Sequence, residues 1–430
     1  MAQKAEAATA PAIQFISRNL KPEDAHRAAL LEAIEQMLDH QAHALYLDPT
    51  QEHLRISGAA PAGIVELAVV PPGVGRLVIE AIRQEAALKD DQETTIYGPF
   101  SHGVMRVEHA GIERRVSVDL IPTVFGAAAV LRAMPTLPAV TSDLSAMGFS
   151  ATQATAVDAA LTSGSGLIVL GGPDRDWVLN TCSLLLSRAS MLGRRAIMVA
   201  AKPGADVAGI ARVEAGRADA DSAAAITRVA QADYTCIGVE NFLAPDVARA
   251  AALAAIEQKA LVLCVSGGRS APEAVGLAFN AGLTGTMAAA MTMAMCQIQL
   301  PLLCAHCAKW GDVQPEDIAY FGLDPTKKTN LYIRTGCDTC HGQVTEFSQI
   351  FEICTITEAI REKMRAGMPF QRFEGELTTT PGYTKLLHRV GEAIQEGRCS
   401  PAEARHYYNW QIPPAGGAAR APSSGMQKAV

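Results

Sequence analysis

Aromatic residues are scarce in this 430-residue chain, at 5%. Charge is modest too: Asp, Glu, Lys and Arg together make up 19%, and the formal net charge is -7. No basic surplus is available, which argues against a general nucleic-acid binder or a protein held electrostatically on an anionic membrane. A secretory signal is also missing, because Met1 to Pro11 is Ala-rich and polar with no apolar central region. The best membrane candidate, Thr284 to Cys304, is interrupted by Gln297, Gln299 and Pro301 and reads as a buried helix rather than a span, its Met287–Met295 cluster filling core gaps.

Apolar residues, at 49%, suffice to bury the cores of two or three domains, and abundant Ala points to helices packed through small side chains. Six of the ten cysteines (Cys182, Cys236, Cys264, Cys296, Cys354 and Cys399) sit mostly in apolar stretches. They read as buried free thiols, a pattern that fits a reducing cytoplasm.

The other four form two Cys-x-x-Cys knuckles, Cys304-Ala-His-Cys307 and Cys337-Asp-Thr-Cys340, separated by 29 residues. Each knuckle sets two thiolates close enough to share one ion, and four complete a closed tetrahedral Zn²⁺ shell. With no ligand position left open, the expected zinc is structural rather than catalytic. Four unrelated buried thiols, or a redox pair in each knuckle, are the alternatives. His306, inside the first knuckle, reads as a surface imidazole.

Two grammars follow one another along the chain. Lys21 to Gln41 and Val74 to Leu88 read as helices, with strands at Ala44–Leu47, Leu54–Ser57, Glu93–Tyr97, Gly103–His109 and Arg114–Leu120. This predicts an α+β domain over 21–134, after a disordered 1–20. Prolines at Pro135 and Pro138 mark a hinge over 135–142. Beyond it, continuous apolar strands (Gly166–Leu170, Arg195–Ala200, Tyr234–Val239, Ala260–Val265) alternate with helices, which predicts a parallel sheet covered on both faces. That domain spans 143–300, the zinc module 301–356, a helical segment 357–412, and a Pro/Gly/Ala/Ser-rich tail 413–430.

A parallel sheet binds ligands outside the carboxyl ends of its strands. The first strand runs into Gly171-Gly-Pro-Asp-Arg-Asp-Trp-Val-Leu-Asn180 and then a helix, the place of a phosphate loop. Such a loop needs glycines so that backbone N–H groups can curl round phosphate, Lys for the outer phosphates, and Ser or Thr for Mg²⁺. Gly172 stands for the first glycine, but Trp177, Val178 and Leu179 occupy the places of the second Gly, the Lys and the Ser/Thr. An indole blocks the approach of phosphate, and an isopropyl group supplies no counter-charge. Trp177 itself reads as a plug for the empty site, a contact between subunits, or a plain core indole.

From Ala42 to Tyr408 the chain resembles the secretion ATPases of type II secretion and type IV pilus assembly. Ala42 to Pro49 resembles that family's "ASDIHIEP" strand. Arg115-Val-Ser117, Pro122-Thr123, Gly126 and Val130-Leu-Arg132 resemble "RVS..PT..GE..VLR", with two extra residues between the halves. Met147-Gly148 fits the helix before the ATPase core, and Gly166–Pro173 matches "GLLLVTGPTGSGKST" up to its proline. The knuckles fall where the family has "LC..C" and "GC..C", followed by Phe351-Glu-Ile353 for "YE(V/I)". Tyr383 to Ala404, with Glu396-Gly397 and Ser400-Pro-Ala-Glu403, is similar to the closing helices.

The resemblance implies a RecA-like P-loop NTPase core, hexameric assembly and a nucleotide site between domains. It also exposes a series of losses. The acidic "IEDP" segment corresponds to Val199-Ala-Ala-Lys-Pro203, and the Walker B "DPDIIMVGE" to Gln231 through Val239, where Asp233 and Gly238 match and a one-residue slip would bring in Glu240. The histidine box "LVLSTLHTN" reads Leu261 through Arg269 without a histidine, and "AQRL" reads Cys296-Gln-Ile-Gln299 without the arginine. Phosphoryl transfer depends on positioned positive charge and Mg²⁺.

The resulting expectation is an α/β chain with no catalytic residues. Gly172, Asp233, Glu240 and Arg269 mark a degenerate nucleotide site lacking the groups that hold ATP and Mg²⁺, though Asp233 and Glu240 also read as solvated acids and Arg269 as a turn residue. Zinc is expected on Cys304, Cys307, Cys337 and Cys340. Such a pseudo-ATPase would be a structural or regulatory subunit, homo-oligomeric or mixed with an active paralogue. It would dock on an inner-membrane platform protein from the bacterial cytoplasm and bind no nucleic acid. The alternatives are a motor ATPase with displaced catalytic groups, drawing on Lys202, Arg175 or Arg269, and a binding module with another ligand in the emptied cleft.

Overall fold

The computed structural model describes residues 14–15, 25–39, 44–60, 63–86, 88–109, 112–133, 143–200, 210–215, 218–311, 313–323, 331–338, 340, 344, 347–367, 369–380 and 382–412. The hinge 135–142, Lys202 and the tail 413–430 lie outside these residues. The described chain divides into two compact units, 14–133 and 143–412.

In the first unit, helices Ala25–Asp39 and Pro72–Glu85 pack on an eight-stranded antiparallel sheet. Leu30, Ile34 and Met37 of one helix and Val78 and Ile82 of the other meet Leu45, Leu47, Ile56, Met105, Val116 and Leu131 of the strands. These strand residues share one face because successive side chains alternate across a sheet. Three strands were not anticipated. Gly63–Val70 is an edge strand with Ile64, Val65 and Val69 exposed. Gly126–Ala133 opens on Gly-Ala-Ala-Ala, which carries little β-propensity, and is held by its neighbours on both sides. Gln14–Phe15 pairs with Val107 and Glu108.

The second unit opens with α1 (Ala151–Ser163), β1 (Gly166–Gly171), α2 (Arg175–Met191), β2 (Ala196–Ala200), β3 (Ala211–Glu214) and α3 (Asp219–Gln231). It continues through β4 (Cys236–Val239), α4 (Pro245–Glu257), β5 (Leu261–Val265), α5 (Ala271–Asn280), α6 (Gly285–Ala288) and β6 (Met291–Pro301). Then come β7 (Ala308–Trp310), α7 (Pro315–Phe321), β8 (Tyr332–Arg334) and β9 (Phe347–Thr355), and helices α8 (Glu358–Arg365), α9 (Phe370–Leu377), α10 (Leu386–Gln395) and α11 (Pro401–Gln411).

The main sheet runs β3-β2-β4-β5-β1-β6-β9, parallel throughout except for the antiparallel edge strand β9. Strands β1, β2, β4 and β5 are apolar at consecutive positions because both faces are covered. Leu167 and Val169 enter a core with α4 and α5, while Ile168 and Leu170 enter another with α1 and α2. The expected parallel sheet is therefore present.

One element differs in kind. Thr284 to Cys304 contains β6, a buried strand between β1 and β9, and not a buried helix. A strand buried on both faces is as continuously apolar as a buried helix, so hydrophobicity alone cannot separate them. The period of two is nonetheless written there: Met293 and Met295 face one core, and Ala294, Cys296, Ile298 and Leu300 the other. No helix among the described residues is long and apolar enough to cross a membrane.

Candidate functional site

Strands β4, β5 and β1 are adjacent and in register, so their carboxyl ends form one ledge. Gly172, Glu240 and the turn Ser266–Arg269 all follow directly from those ends, which is where a parallel sheet binds its ligand.

The β1–α2 loop is packed to contact. A Cβ on Gly171 would sit 2.8 Å from the Gly267 carbonyl oxygen, and one on Gly172 would sit 2.7 Å from a methyl of Val178 and 3.0 Å from the Gln297 carbonyl. Glycine is required here for close approach. Val178, fully buried, fills the space beneath Gly172 with hydrocarbon. Trp177 and Leu179 are half-buried.

The helix N-terminus is already taken. Asp174 is the N-cap of α2, and its carboxylate accepts the backbone N–H groups of Asp176 at 3.0 Å and Trp177 at 3.3 Å. Those first-turn donors are what a phosphate would need. Asp174 was not singled out from sequence, although an acid directly before a helical run is an N-cap signature.

Glu240 is 3% exposed, which corrects its reading as a solvated acid. Arg175, the first residue of α2, places Nη2 3.5 Å from a Glu240 carboxylate oxygen and donates to the Glu240 carbonyl at 3.2 Å. Val239 ends β4 with its side chain in the core, so Glu240 is the first residue beyond the strand.

Asp233 is not part of this ledge. It is exposed in the turn entering β4, at the amino end of the strand, with φ 60°. Arg269 is exposed in the turn before α5, where its backbone N–H donates to Glu273 at 2.8 Å and the Ser270 hydroxyl accepts the Glu273 N–H at 3.1 Å. The structure thus brings together Gly172, Glu240 and the turn holding Arg269, and leaves Asp233 apart. Three buried polar atoms on elements around this end of the sheet, Ser266 Oγ, Gln297 Nε2 and Asn180 Nδ2, have no hydrogen-bond partner among the described residues.

A buried acid missed from sequence lies on β9 and faces the start of α5. Glu352, 1% exposed, accepts the Ala271 N–H at 3.3 Å and a hydrogen bond from the Tyr383 hydroxyl. Burial raises its carboxyl above the ordinary range, against the opposing pull of Tyr383, Ala271 and Lys385.

The four knuckle cysteines converge. Their sulfurs all lie within 4.8 Å of one another, with Cys304–Cys337 at 3.8 Å, Cys307–Cys340 at 3.5 Å and Cys337–Cys340 at 3.8 Å. A tetrahedral shell with Zn–S near 2.3 Å needs sulfurs about 3.8 Å apart, so the quartet fits one thiophilic ion. Cys304, Cys307 and Cys340 are buried, and the Thr335 N–H and hydroxyl both donate to the Cys307 carbonyl, at 3.3 and 2.8 Å. The short antiparallel pair of β7 and β8 brings the two knuckles together across the intervening α7 segment. His306 is exposed, with Nδ1 4.0 Å from the Cys304 sulfur, and adds no ligand to the quartet.

No protein-family model matches the sequence, and no curated protein matches it. Among solved structures, the chain is similar to the Legionella pneumophila ATPase DotB, with a TM-score of 0.56 and 12% identity over 90% of this chain and 96% of that one. The Yersinia pseudotuberculosis ATPase DotB gives a TM-score of 0.49 and 11% identity, covering 94% of this chain and 100% of that one. The pilus retraction motor PilT with bound ADP gives 0.48 and 13%, covering 87% and 95%. At these identities the likeness is one of fold.

Proposed function

We propose that this chain, which has the fold of the secretion ATPases, is a non-hydrolysing structural or regulatory subunit of a type IV pilus or type II secretion machine. One observation carries the reading: the seat for phosphate at α2 is filled by the chain's own groups. The Asp174 carboxylate takes the helix N-terminus, Val178 fills the space under Gly172, and Arg175 is committed to Glu240. A phosphate arriving there would meet a carboxylate where it needs N–H donors and a methyl where it needs an ammonium.

In this reading 143–300 is a degenerate ATPase domain, 301–356 a module built on structural Zn²⁺ held by Cys304, Cys307, Cys337 and Cys340, and 357–412 the closing helices. The subunit works from the bacterial cytoplasm, as a homohexamer or in a mixed ring with an active paralogue, and docks on an inner-membrane platform protein.

A second reading, a cleft that holds some ligand other than nucleotide, draws on the unpartnered buried donors Gln297 Nε2 and Asn180 Nδ2. Steady-state phosphate release from ATP and Mg²⁺, measured beside a relative with an intact loop, tests the main reading. The expected result is no release above background. Turnover that is abolished by Glu240→Gln would overturn it in favour of a motor that recruits Arg175 or Arg269.

A further inference from the structure

The metal quartet has a charged neighbour that the spacing of the knuckles does not reveal. Arg334 ends β8, three residues before Cys337, and its side chain is 3% exposed. Its guanidinium is shared among three partners. Nε donates to Glu403 at 2.8 Å and Nη2 to the Leu302 carbonyl at 2.6 Å, and the side chain also hydrogen-bonds Cys340. Four thiolates round a divalent ion leave two net negative charges in a region where three of the four sulfurs are buried. A buried guanidinium in contact with one of those sulfurs stabilises that charge and orients the ligand.

Glu403 stands in the first turn of α11, so the same guanidinium ties the quartet to that helix. Farther along, α11 is held to the main sheet by a reciprocal pair: Gln411 Nε2 donates to the Gln299 carbonyl at 2.8 Å, and the Gln299 N–H donates to Gln411 Oε1 at 3.0 Å. It is held to the metal module through Arg405 with Asp317 at 2.9 Å and Tyr320 with Asn409 at 2.6 Å. One contact in this set, Arg334, touches both a candidate ligand and the helix.

We propose that Arg334 is the positioning residue of the metal centre, balancing the thiolate charge at Cys340 and, through Glu403, making the docking of α11 depend on metal occupancy. The proposal rests on the reading of the quartet as a metal site. Loss of metal unties the two knuckles from one another, the strand end carrying Arg334 is then no longer fixed beside Leu302 and Glu403, and the first turns of α11 loosen.

The test uses the full chain. Zn²⁺ affinity is measured by chelator competition, and backbone hydrogen exchange over 400–411 is followed with Zn²⁺ and after stripping. Wild type is expected to hold one ion per chain and to exchange faster over the first turns of α11 once stripped. Arg334→Ala is expected to weaken Zn²⁺ binding by about 10–100-fold, as loss of groups that orient metal ligands commonly does. Its α11 should exchange fast with or without metal, and Arg334→Lys should recover part of the affinity. If Arg334→Ala fails to fold, Glu403→Gln keeps the shape of the helix and should abolish the metal dependence of α11 exchange. Wild-type affinity in Arg334→Ala, or α11 exchange indifferent to stripping in wild type, would overturn the proposal. A wild-type chain that holds no metal would overturn the reading of the quartet itself, and this proposal with it.

Discussion

Arg175 reaches from the first turn of α2 to Glu240 at the end of β4, closing the gap between two strand ends with a tethered cation, 3.5 Å from the carboxylate. The guanidinium is half-exposed and the carboxylate buried, so the two sides of the pair respond differently to mutation. Arg175→Ala removes this cation from a desolvated acid and should cost on the order of 1–3 kcal/mol. Glu240→Gln removes the charge with its shape kept and should cost less. Thermal unfolding of the two variants checks the order, and an equal or larger loss in Glu240→Gln would contradict it.

Asp174 caps α2. Asp174→Ala should destabilise by about 1 kcal/mol, whereas Asp174→Ser, which can still accept the Asp176 and Trp177 N–H groups, should lie close to wild type. Denaturant unfolding separates the two. Equal losses would mean that the hydrogen bonds at this helix end contribute nothing.

Glu352 makes stability depend on pH. Its folded carboxyl titrates above the ordinary value of about 4.5, chiefly because it is buried. The folded chain therefore keeps a proton that the unfolded chain gives up, and stability falls as pH rises from there through the folded value. Glu352→Gln cannot ionise. Its stability relative to wild type should be greater at about pH 8 than at about pH 5, as read by urea midpoints. A difference of the opposite sign would contradict the assigned shift.

Thiol accessibility separates the two classes of cysteine. Cys182, Cys236, Cys264, Cys296, Cys354 and Cys399 are all buried, and burial pushes Cys236 and Cys399 up to about 12 and Cys354 up to about 11. They should stay silent to a thiol reagent in the native chain. Metal-loaded protein should show almost no fast reaction, and chelation should release the four knuckle thiols alone. Six further fast thiols on chelation would mean that the whole second unit opens when metal is lost.

Legibility in the sequence followed local chemistry. Gly166–Leu170 and Ala260–Val265 were readable because a strand buried on both faces is a short apolar run bounded by turns. The quartet was readable because ligand spacing is local even when the site is not. β6 was misread because Met, Ala and Cys suit a buried helix as well as a strand, and its period of two is partly hidden by the bulge between Met291 and Met293. Asp233 and Glu240 could not be told apart along the chain, since only the strand between them sends one to each end of the sheet. The contacts of Arg334 with Glu403, and of Glu352 with Tyr383 and Ala271, join distant segments and carry no local signature.

The central claim is that the chain itself fills the phosphate seat at Gly172–Leu179. Calorimetric titration of the purified chain with ATP and with ADP in the presence of Mg²⁺, beside an intact-loop relative, tests it most directly. The account predicts no binding at millimolar nucleotide. Micromolar binding would contradict it, because phosphate would then have displaced Asp174 from the N-terminus of α2.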